Sequence, residues 1–252
     1  MALVSIITIN LNNRKGLEKT VESVIHQSFV DFEYVVVDGG SSDGSAEYLK
    51  EKTSRIHRWV SEKDSGIYSA MNKGISMSAG EYLLFLNSGD EFISRGCLEE
   101  FLAKKPIADI IAGDLVLDVG GRDILATNPD QVNALHLYES TILHPCTLIR
   151  KTLLEQTGLY DETFKITADY AFFLKALLYL NASYEHRQMV LARFDTSGIS
   201  SDAAFKEVLA QERQRALQQY FNPLSLEAIK ELYEIKRSNA YRIWNWILKH
   251  FK

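Results

Sequence analysis

Residues 81–90, EYLLFLNSGD, decide how this chain reads. The apolar run is short, aromatic and bounded by turn residues, the pattern of a strand buried on both faces. It stops at Asn87-Ser88-Gly89-Asp90, which sets a carboxylate at the C-terminal lip of a strand, where open α/β sheets bind ligands. The signature recurs upstream. Residues 32–37 run into Asp38-Gly39-Gly40-Ser41-Ser42-Asp43-Gly44, and residues 3–9 run into Asn10-Leu11-Asn12-Asn13. Three buried strands that end in polar, small-residue loops describe one polar site along one sheet edge.

Outward from these strands the first half alternates. Helices are expected near 14–27, 44–52, 66–77 and 95–104, and further strands over 56–60 and 108–113. Strands separated by helices of this length imply right-handed crossovers and a mostly parallel sheet flanked by helices, an α/β fold. Gly120-Gly121 between two β-like runs predicts a hairpin within 115–126, and strands follow at 145–149 and 183–194 with a helix over 168–180 between them. From Asp202 the pattern is helical, broken at Asn222-Pro223. The expected division is one α/β domain over residues 1–200 and a helical C-terminal extension over 201–252, with no internal repeat.

The bulk numbers bound the function. A chain of 252 residues can bury a sizeable core, and a net charge of -5 argues against nucleic acid as the main partner. Cys97 and Cys146, the only cysteines, have no neighbours at zinc-site spacing and read as packing residues in a reducing compartment. The apolar N-terminus lacks a basic leader region and reads as a first strand, and no stretch reaches membrane-spanning length; the expectation is a cytoplasmic protein.

Chemistry is expected where carboxylates meet glycines. Asp38 reads as a ligand contact and Asp43 as a cap of the following helix. In residues 61–74, SEKDSGIYSAMNKG, Tyr68 and Asn72 share a helix face, while Asp64 is either a cap or a contact and Lys73 either solvated or functional. Asp90 suits a hard divalent cation held by carboxylate and phosphate oxygens. His144 before a strand and Asp169 at a helix start each have a structural alternative, as a core histidine and as a dipole partner.

Taken together, SIITINLNN, VVVDGGSSDGS, SEKDSGIYSAMNKGI, EYLLFLNSGD, the His144-Pro145 strand, FKITADYAFFLKA and FDTSGIS resemble family 2 glycosyltransferases of the GT-A, Rossmann-like fold, closest to bacterial enzymes of surface-polysaccharide assembly (O-antigen, capsule, exopolysaccharide). The resemblance covers roughly residues 3–200. It implies a nucleotide diphosphate-sugar donor, with a UDP-sugar the commonest. Thr8 and Asn10 would line the nucleotide pocket, Asp38 and Asp64 would contact base or ribose, and Asn72 and Lys73 would lie near the floor or the pyrophosphate. Asp90 would hold Mg²⁺ or Mn²⁺, with Asn87, Ser88, Gly89 and His144 near diphosphate or acceptor. Asp169 would be the base of an inverting transfer. The chain departs from the pattern at its metal motif, which has one carboxylate where many relatives have two or three.

Residues 236–252 carry five Lys or Arg, no Asp or Glu, and two of the three tryptophans. Such a tail suits an interfacial helix on the inner leaflet of the cytoplasmic membrane, matching a lipid-linked saccharide acceptor, or a helix that packs on its own domain or a second copy in a homodimer. Two other functions fit the pattern less well. A sugar-1-phosphate nucleotidyltransferase would want a Gly-rich basic loop after the first strand, and Asn10-Leu11-Asn12-Asn13 is not one. A non-catalytic nucleotide-sugar-binding partner is favoured only by the missing carboxylates.

Overall fold

The computed structural model describes residues 2–199 and 201–238. Four parallel strands, β1 (Val4–Asn10), β2 (Phe32–Asp38), β3 (Arg58–Ser61) and β4 (Tyr82–Phe85), lie in the order β3-β2-β1-β4. Their connections are α1 (Arg14–Ile25), α2 (Ser45–Lys52) and α3 (Ile67–Met77). Every residue of β1 is buried, and side chains alternate between two cores. Ile7, Ile9, Val35 and Val37 face α3, whereas Ile6, Tyr34 and Val36 face Leu17, Val21 and Val24 of α1.

Beyond β4 the sheet becomes mixed. The two-residue β5 (Glu91–Phe92) is followed by α4 (Cys97–Leu102), the long β6 (Ile110–Val119) and its hairpin partner β7 (Arg122–Ala126). Next come α5 (Ala134–Glu139), β8 (Thr147–Arg150), α6 (Lys151–Thr157), α7 (Ala168–Leu178) and β9 (Tyr184–Asp195). β8 runs antiparallel between β4 and β6, β9 pairs parallel with β6, and β5 pairs antiparallel with β9. Hence β4, β6 and β9 all point their C-termini the same way, and Asp195 ends on the same edge as Asp90.

α7 is apolar nearly all round (Ala168, Tyr170, Ala171, Phe172, Phe173, Leu174 and Ala176 are buried), so it lies inside the molecule. It is covered by α8 (Lys206–Tyr220) and followed by α9 (Pro223–Arg237). Ala216 and Phe221 complete the core that contains α7. His144–Cys146 forms a single 3-10 turn that carries Pro145, so the strand expected at 145 begins at Thr147. Of the basic aromatic tail over 236–252, Lys236 and Arg237 end α9, and residues from 239 onward lie outside the described residues.

Candidate active site

The register of the parallel strands sets Asn10, Asp38 and Ser61 side by side at the C-terminal edge. They bond to one another. Asp38 is fully buried; its Oδ1 accepts from Asn10 Nδ2 at 2.7 Å and Ser41 Oγ at 2.5 Å, and its Oδ2 from Ser41 N at 3.0 Å and Ser61 Oγ at 2.6 Å. Four donors fill the lone pairs of a carboxylate. Burial raises the Asp38 carboxyl, but donation from Ser41, Ser61 and Asn10 outweighs it and leaves the group below its ordinary value. In this structure Asp38, expected as a ligand contact, serves as an internal clamp joining β1, β2 and β3. Asp43 accepts from Ser45 N and Arg14 N, at the first residues of α2 and α1.

Three further expected site residues also have their polar atoms engaged by tertiary partners. Thr8 is buried, donates to the Leu86 carbonyl at 2.7 Å and meets the Tyr34 hydroxyl at 3.0 Å, so it lies beneath the site. Asn72 makes a two-way bond with the Tyr160 backbone and donates to Glu162, pinning the loop beside α3. His144 is 7% exposed, stacked on Phe85 and 2.7 Å from the Tyr160 hydroxyl. Burial lowers its pKa, and it is a neutral core histidine. Lys73 pairs with Glu62 at 2.7 Å on the surface of α3.

Two buried acceptors at this edge have no protein partner. Asn10 is 4% exposed and its Oδ1 has no partner; Asn87 Oδ1 is likewise buried and unpaired. Buried acceptors without donors are uncommon, and a bound ligand is one way to satisfy them. Asp64 Oδ1 accepts from Gly66 N, while its Oδ2 sits 2.6 Å from where a Cβ on Gly39 would stand. A side chain at Gly39 would displace that carboxylate from the lip.

The Asn87–Asp90 turn is built around Gly89, whose φ of +107° suits glycine. The Asp195 Oδ2 lies 2.6 Å from its would-be Cβ, and Asp195 N donates to Asp90 Oδ1 at 2.9 Å. The structure thus supplies, from the end of β9, a second carboxylate beside Asp90. Burial pushes the Asp90 carboxyl up to about 7, with the Asp195 charge adding to it. Among the described residues no group of three or more His, Cys, Asp or Glu could hold a metal. Two neighbouring carboxylates nevertheless have the oxygen chemistry that a hard divalent cation takes. Asp195 was missed in the sequence, although it follows a predicted strand directly, as Asp38 does.

Thr20, also missed, anchors this turn from α1. Its buried hydroxyl is 2.6 Å from the Asp90 carbonyl and accepts from Gly89 N at 3.0 Å. Ser88 bonds back through its N–H to the Ile9 carbonyl, and its own carbonyl accepts from Asn13 Nδ2. On the other face of the sheet, Asp169 is partly exposed in the first turn of α7. Tyr68, in the first turn of α3, places its hydroxyl 2.6 Å from the Ile166 carbonyl and 2.9 Å from Asp169 Oδ1. Because α3 starts at the C-terminal edge of the sheet, Asp169 shares that edge with Asp64, Asp90 and Asp195.

Comparison with known proteins places this geometry. The sequence profile described as Glycosyl transferase family 2 matches residues 5–158. An uncharacterised glycosyltransferase of Mycobacterium tuberculosis is 32% identical over 203 residues, covering 79% of this chain and 77% of that protein. A PGL/p-HBAD biosynthesis glycosyltransferase of Mycobacterium bovis is 28% identical, covering 82% of each. Among solved structures, S. aureus TarS 1-349 in complex with UDP-GlcNAc superposes with a TM-score of 0.68 at 21% identity, over 91% of this chain and 70% of that one. The mannosyltransferase PcManGT of Pyrobaculum calidifontis, in complex with GDP-Man and Mn²⁺, gives 0.60 at 14% identity, over 96% and 82%.

Proposed function

The chain belongs to glycosyl transferase family 2, and from that premise we propose an inverting enzyme that moves a sugar from a UDP-sugar to a hydroxyl of a glycan acceptor. The observation that carries the reading is Asp169: a partly exposed carboxylate, oriented by Tyr68, on the same sheet edge as the Asp90–Asp195 pair. The nucleotide would lie along the lip formed by Asn10 and Asp64, with the buried, unpaired Asn10 Oδ1 beneath it. Asp90 and Asp195 would hold Mg²⁺ or Mn²⁺ against the diphosphate. A cation there supplies charge neutralisation for the nucleotide as it leaves.

The chain's own residues do the rest. Asp169 accepts the proton of the acceptor hydroxyl as that oxygen attacks the anomeric carbon opposite the leaving group. One in-line displacement breaks the sugar–phosphate bond and inverts the anomeric centre, through an oxocarbenium-like transition state. The aromatic floor of Tyr68, Phe85, Tyr160 and Phe172 keeps the wall behind Asp169 dry and rigid. Donor and acceptor chemistry is assigned to residues 1–200, with the helical extension behind it.

We further propose a lipid-linked saccharide as acceptor, reached from the cytoplasmic face by the basic aromatic tail. Support comes from the mycobacterial relative in PGL/p-HBAD biosynthesis and from the composition of residues 236–252. No helix among the described residues is long and apolar enough to cross a membrane.

A thermal-shift screen of UDP, GDP, dTDP and CMP, each with Mn²⁺ and with EDTA, tests the donor site, because a ligand of the folded state raises its stability by mass action. A metal-dependent shift with UDP is expected. No shift with any nucleotide would sink the reading. Asp169→Asn is expected to keep the shift and lose turnover by on the order of 10²–10⁴-fold.

A further inference from the structure

Outside the matched segment, one helix grips the loop that delivers Asp169. Glu212 of α8 turns its carboxylate into the start of α7: Oε1 accepts from Lys165 N at 2.7 Å, and Oε2 accepts from Ile166 N at 3.0 Å, Thr167 N at 3.1 Å and Thr167 Oγ1 at 3.2 Å. Its helix neighbours hold the flanks. The Arg213 guanidinium lies 4.1 Å over the Tyr170 ring and donates to the Tyr138 and Ser140 carbonyls. Arg215 lies 4.1 Å over the Phe164 ring and donates to Thr163 Oγ1 at 2.6 Å.

Three successive amides aimed at one carboxylate fix the backbone of 165–167 tightly, because each N–H has a charged acceptor. Thr167 stands at the N-cap of α7 without capping it through its own side chain, so Glu212 sets how the chain enters the helix. The Ile166 carbonyl in this loop receives the Tyr68 hydroxyl that also meets Asp169. α8 is already docked by Ala216 and Leu217. The polar grip adds orientation to that docking.

We propose that Glu212 is a positioning residue for Asp169, setting the direction of its carboxylate through the 165–167 backbone and Tyr68. This rests on Asp169 as the base. It gives the helical extension a part in the reaction and makes α8 a component of the active site.

The test uses the full chain and the nucleotide-sugar selected by the screen above, with release of the nucleoside diphosphate as the rate. Glu212→Gln keeps the shape but sets an NH₂ against amide donors. Turnover is expected to fall about 10- to 100-fold, since a shift of about 1 Å in a reacting group costs that much. Binding of UDP with Mn²⁺ should stay within about threefold of wild type, and amide exchange should quicken across residues 163–170 while the strands of residues 5–158 stay protected. Glu212→Asp, with the charge on a shorter arm, should fall between wild type and Gln. Wild-type turnover in Glu212→Gln overturns the proposal. So does an equal loss of turnover and nucleotide binding with faster exchange throughout, or an Asp variant worse than Gln. Asp169→Asn separates the premise: if it retains turnover the base assignment fails, whatever the exchange result.

Discussion

Asp38 and Asp90 flank β1 at the same edge, and both are almost wholly buried, at 0% and 3% exposure. Their surroundings are opposite. Asp38 has four protein donors and a lowered pKa; Asp90 has the Asp195 amide on one oxygen, the Asp195 carboxylate nearby, and a pKa pushed up to about 7. A buried carboxylate with all its donors is a structural part, complete in the free protein. One facing a second carboxylate is unfinished, and becomes comfortable when a cation arrives.

The sharpest way to break this comparison is to neutralise each acid. Asp90→Asn is expected to abolish the Mn²⁺-dependent part of the UDP thermal shift and to lower turnover by about 10³-fold, the share of several kcal/mol that a Lewis-acid metal supplies. Asp38→Ala should instead unfold the edge: Asn10, Ser41 and Ser61 lose their common acceptor, costing about 3 kcal/mol by urea denaturation. If Asp38→Ala were as stable as wild type and lost only nucleotide binding, the clamp assignment would fail.

The two acids should also answer pH in opposite directions. The Asp38 pKa is depressed in the fold, so its stabilisation is present above the ordinary Asp value near 3.8 and is lost as pH falls through the lower folded value. The Asp90 pKa is raised, so the fold favours its protonated form; that stability is present below 3.8 and lost as pH rises through about 7. Metal-free Asp90→Asn should accordingly gain on wild type with rising pH, by on the order of 2–3 kcal/mol between pH 5 and pH 8. Urea titrations at pH 5 and pH 8 in EDTA measure it, and an unchanged difference between the two would remove Asp90 as the strained member.

This contrast also explains what could be read in advance. The α/β fold was legible because β1, β2 and β4 are continuous apolar runs closed by turns, a signal that needs no partner. β5 was not, since two residues carry no period and their pairing with Ala192 and Arg193 is set by the far end of the chain. The short α5 and α6 were missed for want of a full amphipathic repeat. At the site, strand ends and helix starts are where Asp38, Asp64, Asp90 and Asp169 stand. Whether an oxygen is free is another matter, decided by groups brought in from elsewhere: Asn10 and Ser61 for Asp38, Tyr160 for both Asn72 and His144. Nothing local marks Thr20 or Glu212, which act on backbone far away in sequence.

Thr20 gives the smallest test. Thr20→Val keeps the branching and removes the hydroxyl, leaving Gly89 N and the Asp90 carbonyl without their partner in a buried turn. The expected cost is about 1–2 kcal/mol of stability. A loosened Asn87–Asp90 turn should also weaken the Mn²⁺-dependent shift with UDP several-fold, in the manner of lost support behind a metal ligand, while the clamp at Asp38, on the far side of β1, keeps its acid stability. Loss of that acid stability as well would mean that the two carboxylates belong to one cooperative unit, and that their difference is a matter of degree.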